Sequence, residues 1–295
     1  MEQLIINTTP LIDFLNSTGG IPLSITTITQ VSWTQYIASI LIGSFILIWM
    51  LSTFARERMR SLTSKISLRF IKKKTGRHIM IIKHTHADLF NSSMINQETL
   101  KDITLALNKF KGEPFDLVLH TPGGDIFSAI FISRLFKMYP GEIKAIIPLY
   151  AMSGGTLLAL SCDEIYMSDT ACLGPVDPQL GSFFRYGSSK TWDKILKFKG
   201  KKAEDQSISF AHTGKQYTKS IREHFMNNIN FGLNQKDKKI LSDFLTSGSV
   251  EHAHPLTKKD LEAFGMPIKS IADKKMLGKL IKFIGRTSNE GVTYT

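Results

Sequence analysis

Ser153 has the surroundings of a nucleophile. Residues 146–156 read Ile-Ile-Pro-Leu-Tyr-Ala-Met-Ser-Gly-Gly-Thr, and an apolar stretch follows at 157–160. That pattern predicts a strand, a sharp turn at Ser153 and the start of a helix. A serine there lies beside unpaired backbone N–H groups and the positive end of the helix dipole, where negative charge is favoured. Gly154 and Gly155 let a substrate backbone approach closely. Upstream, a second apolar strand at 115–120 ends in Thr121-Pro122-Gly123-Gly124. The N–H groups of that glycine turn can face those of the first. A nucleophile with two convergent sources of N–H donors is what acyl transfer to water requires. Two ordinary strand-to-loop glycine turns would look similar one at a time; their ordered pairing favours a serine hydrolase.

The elements that must hold these turns alternate. Strands are expected at 77–84, 115–120, 143–148 and 164–167, and helices at 96–110, 128–138, 155–162, 216–228 and 236–245. In the second helix Ile130, Phe131, Leu135 and Phe136 are expected to face inward. Residues 190–205 are basic and weakly patterned, 247–255 and 265–267 read as loops, and the last few residues as unstructured. Alternation of this kind implies βαβ units, a largely parallel sheet and helices outside it.

The formal charge of +12 does not imply nucleic acid, because of where it lies. Residues 56–77 hold nine basic residues opposed only by Glu57, a net +8. This run directly follows 14–55, which has no charged residue, and within which 37–54 is mostly apolar. Trp33, Tyr36 and Trp49 stand near the ends of that stretch as interfacial anchors, and about 20 residues suffice to cross a hydrocarbon core. A cleaved signal peptide fits worse, since residues 1–32 contain no Lys or Arg. The basic run sets topology and meets anionic lipid. The expected organisation is a short extracytoplasmic N-terminus at 1–32, one transmembrane helix at 33–54, a basic juxtamembrane linker at 55–76, a cytoplasmic catalytic domain at 77–285 and a tail at 286–295. Cys162 and Cys172 are the only cysteines. Their spacing matches no zinc or redox motif, and a reducing compartment fits them.

Three motifs in order carry a family resemblance: Leu119-His120-Thr121-Pro122-Gly123-Gly124, Tyr150-Ala151-Met152-Ser153-Gly154-Gly155-Thr156 and Leu173-Gly174-Pro175-Val176-Asp177-Pro178-Gln179-Leu180-Gly181. Over about residues 77–270 the chain resembles the serine dehydrogenase proteinase family, which is related to signal peptide peptidase A within the Clp protease/crotonase superfamily. Leu245-Thr246-Ser247-Gly248 and Pro255-Leu256-Thr257 also fit. The resemblance implies a ClpP/crotonase-like α/β spiral of β-β-α units assembled into homo-oligomers, peptide or protein substrates, and no cofactor. It implies Ser153 as nucleophile, with an oxyanion hole from Gly123 or Gly124 together with Gly154.

The general base is less determined. The signal peptide peptidase relatives use a downstream lysine, which implies a Ser-Lys dyad. A lysine accepts a proton at neutral pH only if burial or a positive neighbour lowers its pKa. Lys219, on a helix, is the expected base; Lys199, Lys201 and Lys202 fall in the loop where the relatives' lysine would lie. His120, just before the Thr-Pro-Gly-Gly turn, is the competing base. A Clp-type histidine a short way after the serine is absent, and Leu149 stands where family members carry a histidine. Asp177, between two prolines, is expected to fix a loop near the site. His84 with His86, and His252 with His254, suggest metal pairs, but no carboxylate or cysteine pattern completes them, so no metal is expected. The alternatives are an inactive membrane scaffold of the same fold and a crotonase-type acyl-CoA enzyme.

Overall fold

The computed structural model describes residues 33–84, 94–182, 185–229, 231–286 and 290–295. The chain divides into two compact units, Met1–Arg56 and Glu57–Thr295. In the first, the described residues belong to helix α1 (Trp33–Thr75). Its stretch Tyr36–Ala55 has mean hydropathy 2.2 and buries none of its side chains in protein, so it is long and apolar enough to cross a membrane.

The second unit is built on a six-stranded sheet. In chain order the elements are β1 (His78–Lys83), α2 (Gln97–Phe110), β2 (Phe115–His120), α3 (Ile126–Met138), β3 (Ile143–Ile147), β4 (Tyr150–Ala151), α4 (Gly154–Ala159), β5 (Glu164–Met167) and β6 (Cys172–Leu173). After them come β7 (Gln179–Ser182), β8 (Arg185–Ser188), α5 (Ser189–Lys199), α6 (Asp205–Asn228), α7 (Gln235–Thr246), β9 (Leu256–Thr257), α8 (Lys258–Ala263), β10 (Ile268–Ser270), α9 (Lys274–Arg286) and β11 (Gly291–Tyr294). The sheet order is β10-β5-β3-β2-β1-β11. Its pairings are parallel except β1 with β11. A smaller sheet, β4-β6-β9, stands apart from it.

Period-two alternation divides the core. Met80, Ile82, Leu117 and Leu119 face a large cluster that α2, α3, α4, α6 and α7 complete with Ile103, Ile132, Leu158, Phe225 and Leu241. Ile79, Ile81, Val118 and Ile146 face the other way, onto Leu68 of α1 and Leu280 and Ile284 of α9. Both faces being covered, the central strands read as continuous apolar runs.

The structure departs from the sequence reading in four places. Residues 189–199, within the stretch read as basic and weakly patterned, form a helix capped by Ser188 and carrying Trp192 as its buried residue. Helix α6 begins at Asp205, well before 216. On α3 the buried residues are Ser128, Ala129, Ile132, Ser133 and Phe136, while Phe131 is 44% exposed. The final residues are a strand, not an unstructured tail: Met80 pairs with Tyr294 and Lys83 with Gly291. Part of the basic run is also committed to this domain. Arg77 donates to Asp116 and Glu142, both at 2.6 Å, and Lys72 lies 3.7 Å from Glu113.

Two buried histidines make the domain sensitive to acid. His84 has Nδ1 3.0 Å from Thr121 Oγ1, and His224 has Nε2 2.6 Å from Ser133 Oγ. Burial lowers the pKa of each to about 4, reinforced at His224 by Arg134 and Lys137. The unfolded chain therefore takes up protons first. The stability these groups allow is complete above about pH 6.5 and is lost as the pH falls toward about 4. The urea midpoint of the protein should fall steadily across that window. A flat profile would show that neither histidine is held neutral.

Candidate active site

Ser153 occupies the turn between β4 and α4 at φ 50°, ψ −118°, a conformation that a non-glycine residue adopts only under strain. It is the N-cap of α4, yet its side chain makes no capping hydrogen bond. The hydroxyl is thus not spent on the helix it precedes, the use an N-cap serine normally has.

The turn after β2 is held against this one. Thr121 N–H donates to Tyr150 O (3.3 Å) and Met152 N–H to Thr121 O (2.9 Å). The approach is so close that a Cβ on Gly123 would lie 2.7 Å from Ser153 Cβ and 3.0 Å from Gly154 N. A Cβ on Gly124 would collide with the backbone of Ile95, which bridges it. Only glycine fits either position. The N–H of Gly123 donates to Thr121 Oγ1 at 3.1 Å. Gly154 is the first residue of α4, where the N–H has no intrahelical acceptor.

A third segment is tied to the same turn. Buried Thr156 Oγ1 is 2.8 Å from both Ala151 O and Gly174 O, and Gly174 N–H donates to it at 3.0 Å. Residues 174–177 are thereby clamped beside Ser153. Val176 joins Gly124, Ile126, Ala129, Ser153, Gly154, Leu157 and Ile221 around a small apolar crevice of about 20 Å³. The larger cavity, about 200 Å³ between α9 and the sheet, opens on the opposite face and is lined by Ile146, Tyr166 and Met276 among others. It is remote from this chemistry.

Asp177 is 2% exposed. It accepts from Gln179 Nε2 at 2.6 Å, and His252 Nδ1 lies 2.7 Å from its other oxygen. Both of its oxygens are engaged, one of them by an imidazole. The small sheet explains why that imidazole is here. Strands β4 and β6 are parallel and β9 is antiparallel to β6. The chain leaving Ala151 toward Ser153, the chain leaving Leu173 toward Asp177 and the chain entering Leu256 from His252 therefore meet at one end of that sheet. Sequence reasoning treated His252 only as half of a metal pair. The signal that marks it was present: it lies between the Leu-Thr-Ser-Gly and Pro-Leu-Thr segments that carry the resemblance.

The other expected residues make different contacts. Lys219 is on α6 with its side chain 77% exposed, 3.8 Å from Glu223. That is not the burial a lysine base requires. Lys199 is paired with Glu204 at 3.3 Å, and Lys201 and Lys202 are exposed. His120 is buried with its ring 4.3 Å from Tyr150. Among the described residues no group of three metal-ligating side chains occurs; His86 lies outside them.

Ser153 is thus free of capping duty and packed against a second glycine turn of a parallel α/β sheet. The family model of ClpP-like SDH-type serine proteinases matches residues 28–283, and the chain belongs to that family. It is 37% identical over 159 residues to the uncharacterized protein MJ0137 of Methanocaldococcus jannaschii, covering 54% of each chain. It is 29% identical over 243 residues to MJ1495 of the same organism, covering 79% of this chain and 81% of that one. The match thus spans about half the length of the first relative. Among solved structures, ClpP1 from Listeria monocytogenes aligns with TM-score 0.42 and 13% identity over 68% of this chain and 94% of its own. A mutant of the 1510-N membrane-bound stomatin-specific protease, in complex with a substrate peptide, aligns with TM-score 0.44 and 17% identity over 63% and 74%.

Proposed function

We propose that this chain is a membrane-anchored serine endopeptidase in which Ser153 attacks the peptide carbonyl, His252 is the general base and Asp177 holds His252. The single observation that carries this reading is the 2.7 Å contact between buried Asp177 and His252 Nδ1, at the sheet end where Ser153 also lies. A carboxylate on Nδ1 fixes the tautomer in which Nε2 is free to take a proton, and it stabilises the imidazolium that then forms. The N–H groups of Gly124 and Gly154 receive the oxyanion, and His252 returns the proton to the leaving amine. Water then repeats the cycle on the acyl-enzyme. The apolar crevice walled by Val176 and Ile221 suits a small apolar side chain beside the scissile bond. No step calls for a metal or cofactor.

A second reading keeps a Ser-Lys dyad through Lys219. It is favoured only by Lys219 sharing α6 with the crevice residue Ile221, and its solvent-facing ion pair weighs against it. We read Tyr36–Ala55 as a single membrane span, with the net +8 that follows holding the catalytic domain on the cytoplasmic side. Homo-oligomers are expected on the family resemblance.

A fluorophosphonate probe, which reacts with an activated serine, tests the activity directly. The full chain should be labelled stoichiometrically, with the adduct mapping to Ser153 by mass spectrometry. An unlabelled but folded protein would instead support a scaffold or a crotonase-type enzyme of the same fold.

A further inference from the structure

Among the described helices α9 is the most strongly amphipathic, and among the described residues only one of its faces has a partner. Leu280 and Ile284 are buried against the sheet, with Met276 and Phe283 packed beside them. On the outer side Lys274, Lys275, Lys279, Ile281 and Lys282 are exposed. The helix contains no Asp or Glu. A Cβ added at Gly278 or Gly285 would meet nothing within 4 Å, so no element of the described chain covers this side. Lys275, Lys279 and Lys282 recur at i, i+4 and i+7 and form one stripe roughly 10 Å long. Within the same compact unit, the end of α1 packs on the same sheet face through Leu68 and leaves Arg69 and Lys73 exposed. Two helices of one layer therefore present cations outward.

We infer that the outer face of α9 is a docking surface for an anionic lipid headgroup layer, engaged through Lys275, Lys279 and Lys282. This rests on the membrane span proposed above and extends it, since α9 is more than 200 residues from the span in sequence. The charge is complementary to anionic lipid, and each such lysine adds attraction that dies away within a Debye length. Lipid is favoured over nucleic acid because the same chain carries a stretch long and apolar enough to cross a membrane, and the lysines of α9 form a single layer with one exposed isoleucine among them. The consequence is that the catalytic domain rests on the bilayer by a second, salt-sensitive contact instead of hanging from its anchor alone.

Lysine acetylation footprinting of the full chain tests this. The protein is reconstituted into lipid discs of phosphatidylcholine alone, and into discs in which part of the lipid is phosphatidylglycerol. The rate of acetylation at each lysine is then read by mass spectrometry. Lys275, Lys279 and Lys282 should react about fivefold more slowly in the anionic discs, corresponding to about 1 kcal/mol per lysine. Lys219, Lys236 and Lys239, exposed on α6 and α7, should react equally in both. Raising the salt to about 1 M should abolish the difference. Equal rates at the α9 lysines in the two discs would overturn the inference and leave the span intact. Protection by duplex DNA but not by anionic discs would overturn it in favour of a nucleic acid. Failure of the protein to enter discs of either composition would remove the span and the inference together.

Discussion

Replacing Ser153 by alanine is expected to lower kcat for peptide hydrolysis about 10⁵- to 10⁶-fold, with KM nearly unchanged and the fold intact. The magnitude is that of losing the nucleophile from a cooperating set, where what remains is transition-state binding by the oxyanion donors. The structural cost is small because the hydroxyl makes no capping bond. The backbone makes a second, separable statement. At φ 50° the residue sits where glycine is at ease and other residues are strained. Ser153→Gly should therefore be as inactive as Ser153→Ala yet more stable than wild type by about 1 kcal/mol, seen as a higher urea midpoint. An active Ser153→Ala would remove Ser153 from the chemistry. A Ser153→Gly less stable than wild type would mean that the turn carries no strain.

The second large effect separates the two bases. His252→Ala should lose about 10⁴-fold or more in kcat, and Asp177→Asn should approach that loss by freeing the wrong tautomer of His252. Lys219→Met should stay within about threefold of wild type, as a solvent-facing side chain in an exposed ion pair contributes little. The decisive readout is fluorophosphonate labelling. It requires an activated serine, so His252→Ala should slow it as strongly as it slows turnover. If Lys219→Met is inactive while His252→Ala turns over normally, the base is the lysine. Its burial must then come from a partner subunit, since the chain alone does not supply it.

Much of this site was legible in the sequence because its parts are local. A strand, a serine turn and a glycine-led helix are contiguous in residues 146–160, and their order dictates the elbow. The second glycine turn was equally readable. Its internal division was not: the side chain of Thr121 takes the Gly123 N–H, a bond between neighbours that spacing does not reveal. The proposed pairing of Asp177 with His252 lay out of reach of the sequence for a topological reason. Asp177 and His252 are 75 residues apart and meet only because β9 returns antiparallel beside β6, two strands of two residues each. Strands that short carry no period to detect. Helix α5 was missed because its apolar face is slight: Trp192 is the single residue it buries. Its many lysines left it reading as basic and weakly patterned.

The C-terminal strand sets an order of events in the cell. His78 and Thr295 are 217 residues apart and yet joined by a side-chain contact of 2.9 Å, and β11 closes the edge of the sheet against β1. Synthesis delivers β1 about 200 residues before β11. Throughout translation of everything between them, β1 is an open, apolar edge capable of pairing with any strand it meets. The arrival of residues 291–294 seals the edge, so a translation product stopped short of them would carry the rest of the sheet and still be the species most prone to aggregate.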